Sequence, residues 1–231
     1  MNRPEAIVTV DGPAGSGKST TAREVARRLG YRHLDSGALY RALTYALLRR
    51  GVGPDRWPAL TLDDLTELDV SVEPAGARLL VRFEGRVLSS ELRTPAVTAR
   101  VSELAGYPQV RRWLLAVQRK AGENGGLVAD GRDMGTVVFP DADIKVFLTA
   151  DVTERAKRRL AEQGFPFDDP LRLADERELI AERDRRDSER PLSPLVQPVG
   201  AVELDTTDLG FEEQVQSVVD LVRDWEARAA D

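Results

Sequence analysis

Gly12-Pro13-Ala14-Gly15-Ser16-Gly17-Lys18-Ser19-Thr20 matches G-x-x-x-x-G-K-[ST] in full and sits between an apolar run and a helical pattern. Upstream, Ala6-Ile7-Val8-Thr9-Val10 is short, β-branched and closed by Asp11-Gly12, as a buried strand should be. Downstream, Ala22, Val25, Ala26 and Leu29 recur at helical spacing, with Gly30 placed to end the helix. A glycine-rich turn is the plain alternative, but both flanks agree with a nucleotide-phosphate loop. In such a loop, backbone N–H groups converge on phosphate oxygens. Lys18 would reach the β and γ phosphates, and the Ser19 hydroxyl would ligate Mg²⁺.

Working outward, strand patterns at 6–10, 31–34, 127–130, 144–148 and 201–204 alternate with helical patterns near 38–50, 95–105, 109–121, 152–163, 171–188 and 212–228. That alternation predicts an α/β fold with a mostly parallel sheet flanked by helices. Several strands end in or beside an Asp, at the edge where open α/β sheets bind ligands. Residues 68–90 break the pattern. Three short β-prone runs separated by Pro74-Ala75-Gly76 and Glu84-Gly85 predict a small antiparallel insert. Between 165 and 198, prolines bracket a densely charged helix, which suits a mobile segment over the site.

Composition narrows the classes. The 231 residues, 42% of them hydrophobic, suffice for a substantial core. The chain has no cysteine, which excludes disulfides and thiolate chemistry and is compatible with a reducing compartment. Neither a membrane span nor a signal peptide is expected, so the reading is a cytoplasmic protein. A net charge of −6 argues against a nucleic-acid polymer as partner, whereas a small anion held by local arginines remains compatible.

Four further segments carry candidate chemistry. In Leu34-Asp35-Ser36-Gly37-Ala38-Leu39-Tyr40-Arg41, Ser36 is placed to cap a helix and Arg41 lies one turn inside it. Asp130-Gly131-Arg132-Asp133 concentrates charge at the end of a strand that otherwise reads as buried, which favours a site. Arg183, Asp187 and Arg190 fall at i, i+4 and i+7, on one helix face; the neighbouring charges suit a solvated surface. Ser102 and Arg111 lie on successive helices and are unremarkable by pattern alone. The lone His33 reads as structural, since phosphoryl transfer is mainly positioning and electrostatics.

Taken together, Asp11 through Thr20, Leu34 through Arg41, Asp130-Gly131-Arg132-Asp133-Met134-Gly135-Thr136-Val137-Val138-Phe139-Pro140 and Arg183 through Leu195 strongly resemble the bacterial cytidylate kinases, over residues 5 to about 225. The resemblance implies the P-loop nucleoside-monophosphate kinase fold: a five-stranded parallel sheet flanked by helices, a small antiparallel insert and a helical lid. It implies a single domain over 1–231, with a core at about 1–35, 125–150 and 199–231. A monophosphate-binding region would occupy about 36–124 and a lid about 151–198. Residue by residue, it implies that the loop from Gly12 to Thr20 holds ATP with Arg155 and Arg158. Ser36, Arg41, Arg132 and Arg190 would meet the monophosphate, Arg183 and Asp187 the sugar, and Ser102, Arg111 and Asp133 the base. Lys18, Arg132, Arg183 and Arg190 would be catalytic, and Ser19 would ligate Mg²⁺. Some relatives carry Gly at position 19, so Thr20 is the alternative metal-ligating hydroxyl.

The activity implied is Mg²⁺-dependent transfer from ATP to CMP or dCMP by a monomer acting on small molecules, away from membranes. The rival readings are a P-loop kinase for UMP, AMP or a non-nucleotide alcohol, and a regulatory P-loop NTPase. The absence of an Asn-Lys-x-Asp run counts against the second rival.

Overall fold

The computed structural model describes residues 5–229; the expected core boundaries at 1–4 and 230–231 lie outside them. Five strands, β1 (Ile7–Asp11), β2 (Arg32–Asp35), β6 (Leu127–Gly131), β7 (Ile144–Thr149) and β8 (Val202–Asp205), pair in parallel in the order β2-β6-β1-β7-β8. All five expected strands are present, within a residue or two of their expected limits.

The insert forms β3 (Val70–Ala75), β4 (Arg78–Phe83) and β5 (Arg86–Val87), an antiparallel meander. It is not a separate sheet. Through a parallel contact between His33 and Arg78, β4 joins β2, giving one continuous sheet ordered β3-β4-β2-β6-β1-β7-β8.

Helices cover both faces. On one, α1 (Lys18–Leu29) and α8 (Phe211–Ala229) enclose Val8, Val10, Val25, Val128, Val146 and Val218. On the other, α2 (Ser36–Arg49), α3 (Leu62–Thr66), α4 (Pro95–Leu104) and α5 (Pro108–Gly122) pack around Leu43, Trp57, Leu104, Leu114 and Leu127. The period-2 alternation of β6 is legible here: Leu127 and Ala129 face the second cluster and Val128 the first. The same alternation turns Thr9 and Asp11 of β1 away from the valine layer. Asp11 then accepts hydrogen bonds from the N–H groups of Met134 (2.8 Å) and Gly135 (2.7 Å), which open a short π-helical turn over Met134–Val138. After β7, α6 (Val152–Glu162) and α7 (Pro170–Glu189) return across the carboxyl edge of the sheet.

Candidate active site

The phosphate loop lies between β1 and α1. Gly12 is required by close approach, because a Cβ there would collide with the carbonyl oxygen of Leu148 on β7. Gly17 adopts a left-handed conformation (φ 86°) at the N-cap of α1 and supplies no side-chain cap, so the first N–H groups of the helix face the site. Lys18 is buried and its Nζ donates to the carbonyl of Pro13 at 2.9 Å. Burial and the neighbouring Arg132 push its pKa down to about 7.

The loop opens on a cavity of about 300 Å³ at the carboxyl edge of the sheet. Ala14, Gly15, Gly17, Lys18, Ser19, Thr20, Ser36, Arg41, Ser102, Arg111, Arg132, Asp133, Arg158, Arg183, Asp187 and Arg190 line it, so most of the expected residues converge. Gly12, Pro13 and Ser16 shape the loop from behind.

Arg155 departs from expectation. Its Nε donates to Ala150 and its Nη1 to the carbonyl of Ala14, both at 2.9 Å, and it pairs with Asp184, which holds it behind the loop and out of the cavity. Ser36 also departs. Asp35, accepting from the N–H of Ala38 at 2.8 Å, is the cap of α2, and the Ser36 hydroxyl instead accepts from Gln118 Nε2 at 2.7 Å.

Charge is unevenly spread across the cavity. Arg41 is fixed by bonds to the Leu92 carbonyl (3.1 Å) and the Thr98 hydroxyl (2.9 Å); burial and nearby Arg93 lower its pKa to about 10. Burial and Arg132 lower that of Arg183 to about 9. Arg183 Nε and Arg190 Nη2 are buried with no hydrogen-bond partner among the described residues. Unpaired guanidinium donors crowded by like charge form a site built for an anion. Asp187 is the local counter-charge: burial pushes its pKa up, but Arg132, 2.8 Å away, and Arg183 outweigh this and hold it low. At the far end Asp133 pairs with Arg111, and the Arg111 guanidinium stands 5.6 Å from the Tyr40 ring centroid.

A second cluster flanks Ser19, whose hydroxyl bonds to Asp130. In-register pairing of β2 with β6 sets Asp35 beside Asp130, and His33 Nε2 lies 2.7 Å from the other oxygen of Asp130. Burial and the charge of Asp130 raise the pKa of Asp35. The buried Asp130 and the half-buried Asp35 beside a phosphate-loop hydroxyl fit a divalent cation shared with a polyphosphate, although no group of three or more His, Cys, Asp or Glu side chains among the described residues could hold a metal alone. Of the two hydroxyls at the end of the loop, Ser19 is the one that bonds to Asp130.

Sequence reasoning gave no individual role to Asp35, Tyr40, Arg93, Asp130 or Arg159, although Asp130 belonged to a charge cluster read as favouring a site; all five line the cavity. For Asp130 the signal was present, an acid ending a buried strand beside the loop. For Arg159 it was an arginine one turn beyond Arg155. Arg93 carried none.

No helix among the described residues is long and apolar enough to cross a membrane. A solved structure of an uncharacterized protein from Eubacterium ventriosum aligns with 96% of this chain and 99% of its own at a TM-score of 0.50 and 10% identity, a likeness of fold alone. A bifunctional pantoate ligase/cytidylate kinase from Synechocystis is 43% identical over 97% of this chain and 44% of its own length. One from Synechococcus is 45% identical over 97% and 46%. The chain thus spans less than half the length of these curated relatives. The family model for cytidylate kinase matches residues 8–224, nearly the whole chain, and on that match the chain belongs to the cytidylate kinase family.

Proposed function

We propose that the chain transfers the γ-phosphoryl group of ATP to the 5′-phosphate of CMP or dCMP, giving ADP and CDP or dCDP. The observation that carries this reading is one cavity lined by three chemistries: a phosphate loop, a cluster of arginines with unpaired donors on Arg183 and Arg190, and an Arg111–Asp133 pair. The acceptor phosphate oxygen attacks the γ-phosphorus, the bond to the ADP oxygen breaks, and no covalent enzyme intermediate is needed. Lys18 follows charge onto the transferring group, with Arg132, Arg183 and Arg190 neutralising it from the acceptor side. Arg41 and Ser36 hold the acceptor phosphate, Arg183 and Asp187 reach its sugar, and Arg158 the donor nucleotide. Asp133 accepts from the cytosine N4 amino group while Arg111 donates to N3 and O2, a pattern that uracil inverts. Ser102 completes the base contacts.

Ser19 and Asp130 would hold Mg²⁺, which would supply charge neutralisation to the phosphates. Residues 151–198 act as a lid whose closure excludes water. Monomeric, cytoplasmic action on small molecules belongs to the same proposal.

Steady-state kinetics with CMP, dCMP, UMP and AMP at fixed Mg·ATP test it directly. CMP and dCMP should give the highest kcat/KM; a preference for UMP or AMP would reassign the acceptor, and phosphate release indifferent to all four would indicate an NTPase.

Lys18 adds a pH dependence. Its pKa is about 7 in the free protein and rises when a polyphosphate supplies counter-charge. Above pH 7 the bound state therefore holds more protons than the free state, and binding weakens as pH rises. Calorimetry with a non-hydrolysable ATP analogue should show affinity falling by about tenfold or more between about pH 7 and about pH 9. Constant affinity across that window would contradict the depressed pKa.

A further inference from the structure

The Ala14 peptide unit at the rim of the phosphate loop is held on both sides by side chains outside the cavity. Its N–H donates to Asp184 Oδ1 at 2.9 Å, and its carbonyl accepts from Arg155 Nη1 at 2.9 Å. The same Nη1 pairs with the second oxygen of Asp184, closing a ring between the loop, α6 and α7. Gly15 adds a steric part: a Cβ there would press on the backbone oxygen of Arg155 at 3.0 Å, so the loop lies flat against α6.

Asp184 is the neighbour in sequence of Arg183, which points into the cavity, whereas Asp184 does not line it. The placement matters because α7 carries its cavity-facing arginines toward others. Arg183 faces Arg132, Arg41 and Arg159, like charges that add to burial in lowering its pKa. Something must hold the helix against that repulsion. Asp187 does so through Arg132, but from inside the cavity, where a substrate's hydroxyls and phosphates compete for it. Asp184 does so from outside, through a charge-assisted pair with Arg155 and a bond from the Ala14 N–H, neither of the two side chains lining the cavity.

We propose that Asp184 is a positioning residue that clasps α7 to the phosphate loop, so that Arg183 is set against the reacting phosphates by the conformation of the loop that holds the donor. The proposal rests on the kinase reading above. Loss of the clasp leaves the binding groups in place but lets α7 stand away from the loop. Transfer to the acceptor slows, because small misplacements of a charge-stabilising group are costly, and water gains access to the donor phosphate.

The test compares Asp184→Ala and Asp184→Asn with Arg185→Ala, an exposed substitution on the same helix whose side chain pairs with Glu182 and Glu189. Each is assayed for CMP phosphorylation and for ATP hydrolysis with and without CMP. Asp184→Ala should lower kcat by about tenfold or more and raise the ratio of hydrolysis to transfer several-fold. Asp184→Asn, whose amide oxygen still accepts from Ala14 but has lost the charge facing Arg155, should fall between it and the parent; Arg185→Ala should match the parent. Unchanged kcat and ratio in both Asp184 variants would overturn the clasp, as would equal losses of transfer and hydrolysis, which mark general damage. If Asp184→Ala does not fold, Asp184→Asn decides by the same ratio. If the parent fails to phosphorylate CMP, the kinase reading falls separately, and amide exchange with ADP bound then decides the clasp. Faster exchange at Ala14 and across 183–189 in Asp184→Asn supports it, and parental rates overturn it.

Discussion

Replacing Lys18 with alanine is expected to lower kcat for CMP phosphorylation by about a hundredfold or more, equivalent to at least about 2.7 kcal/mol of transition-state stabilisation. The ammonium sits against Pro13 at the mouth of the loop, where charge develops as the γ-phosphoryl group leaves ADP. Its interactions therefore strengthen during the reaction, which is the condition for an effect on kcat and not on KM alone. The fold should survive. Lys18 is a buried cation whose pKa burial pushes down to about 7, so the substitution takes a desolvated charge, and no core side chain, out of the fold. Rapid-quench or coupled kinetics, with circular dichroism to check folding, measure this. A folded variant turning over CMP near the parental rate would remove the phosphate loop from the mechanism.

The second large effect is expected at Asp133. Its carboxylate is buried against Arg111, and a uracil O4 placed before it would set acceptor against acceptor. Leaving a built polar site unpaired costs about 1–3 kcal/mol, so Asp133→Asn, whose amide donates to O4, should narrow the CMP-to-UMP ratio of kcat/KM by roughly tenfold or more. Most of that change should be lost CMP activity. The structure sharpens the competing account. Asp133 pairs with Arg111, while Arg132 pairs with Asp187, so a merely supportive Asp133 would act through Arg111. Both substrates would then lose activity equally and their ratio would stand; a parallel fall in the two kcat/KM values would eliminate base reading by Asp133.

Features set by local sequence were legible and features set by register were not. The loop, the strands and the placing of Arg183 and Asp187 on one helix face depend on residues close in sequence, and they came out as read, whereas Arg190 lies beyond the end of α7 in extended backbone and reaches the cavity from there. Asp35 and Asp130 are remote in sequence and meet only because β2 and β6 pair in register. The fate of Arg155 shows a second limit. The family resemblance placed it toward ATP, but the Ala14 carbonyl and Asp184 drew the side chain behind the loop. Turn residues announced the insert correctly, yet nothing within 68–90 told that β4 would reach back to β2. At Ser36, an acid one residue earlier won the cap and freed the hydroxyl for Gln118.

That junction of β4 with β2 has a bearing on solubility. Without it, β2 would end the sheet, with unpaired backbone groups beside Asp35 offering a template for another chain. The hairpin moves the margin outward to β3, where Glu73 is exposed and Pro74 has no N–H to offer. The opposite margin, β8, is four residues long and carries exposed Glu203 and Asp205. Both borders of the sheet thus resist strand addition, and chains can crowd together at high concentration without zipping edge to edge.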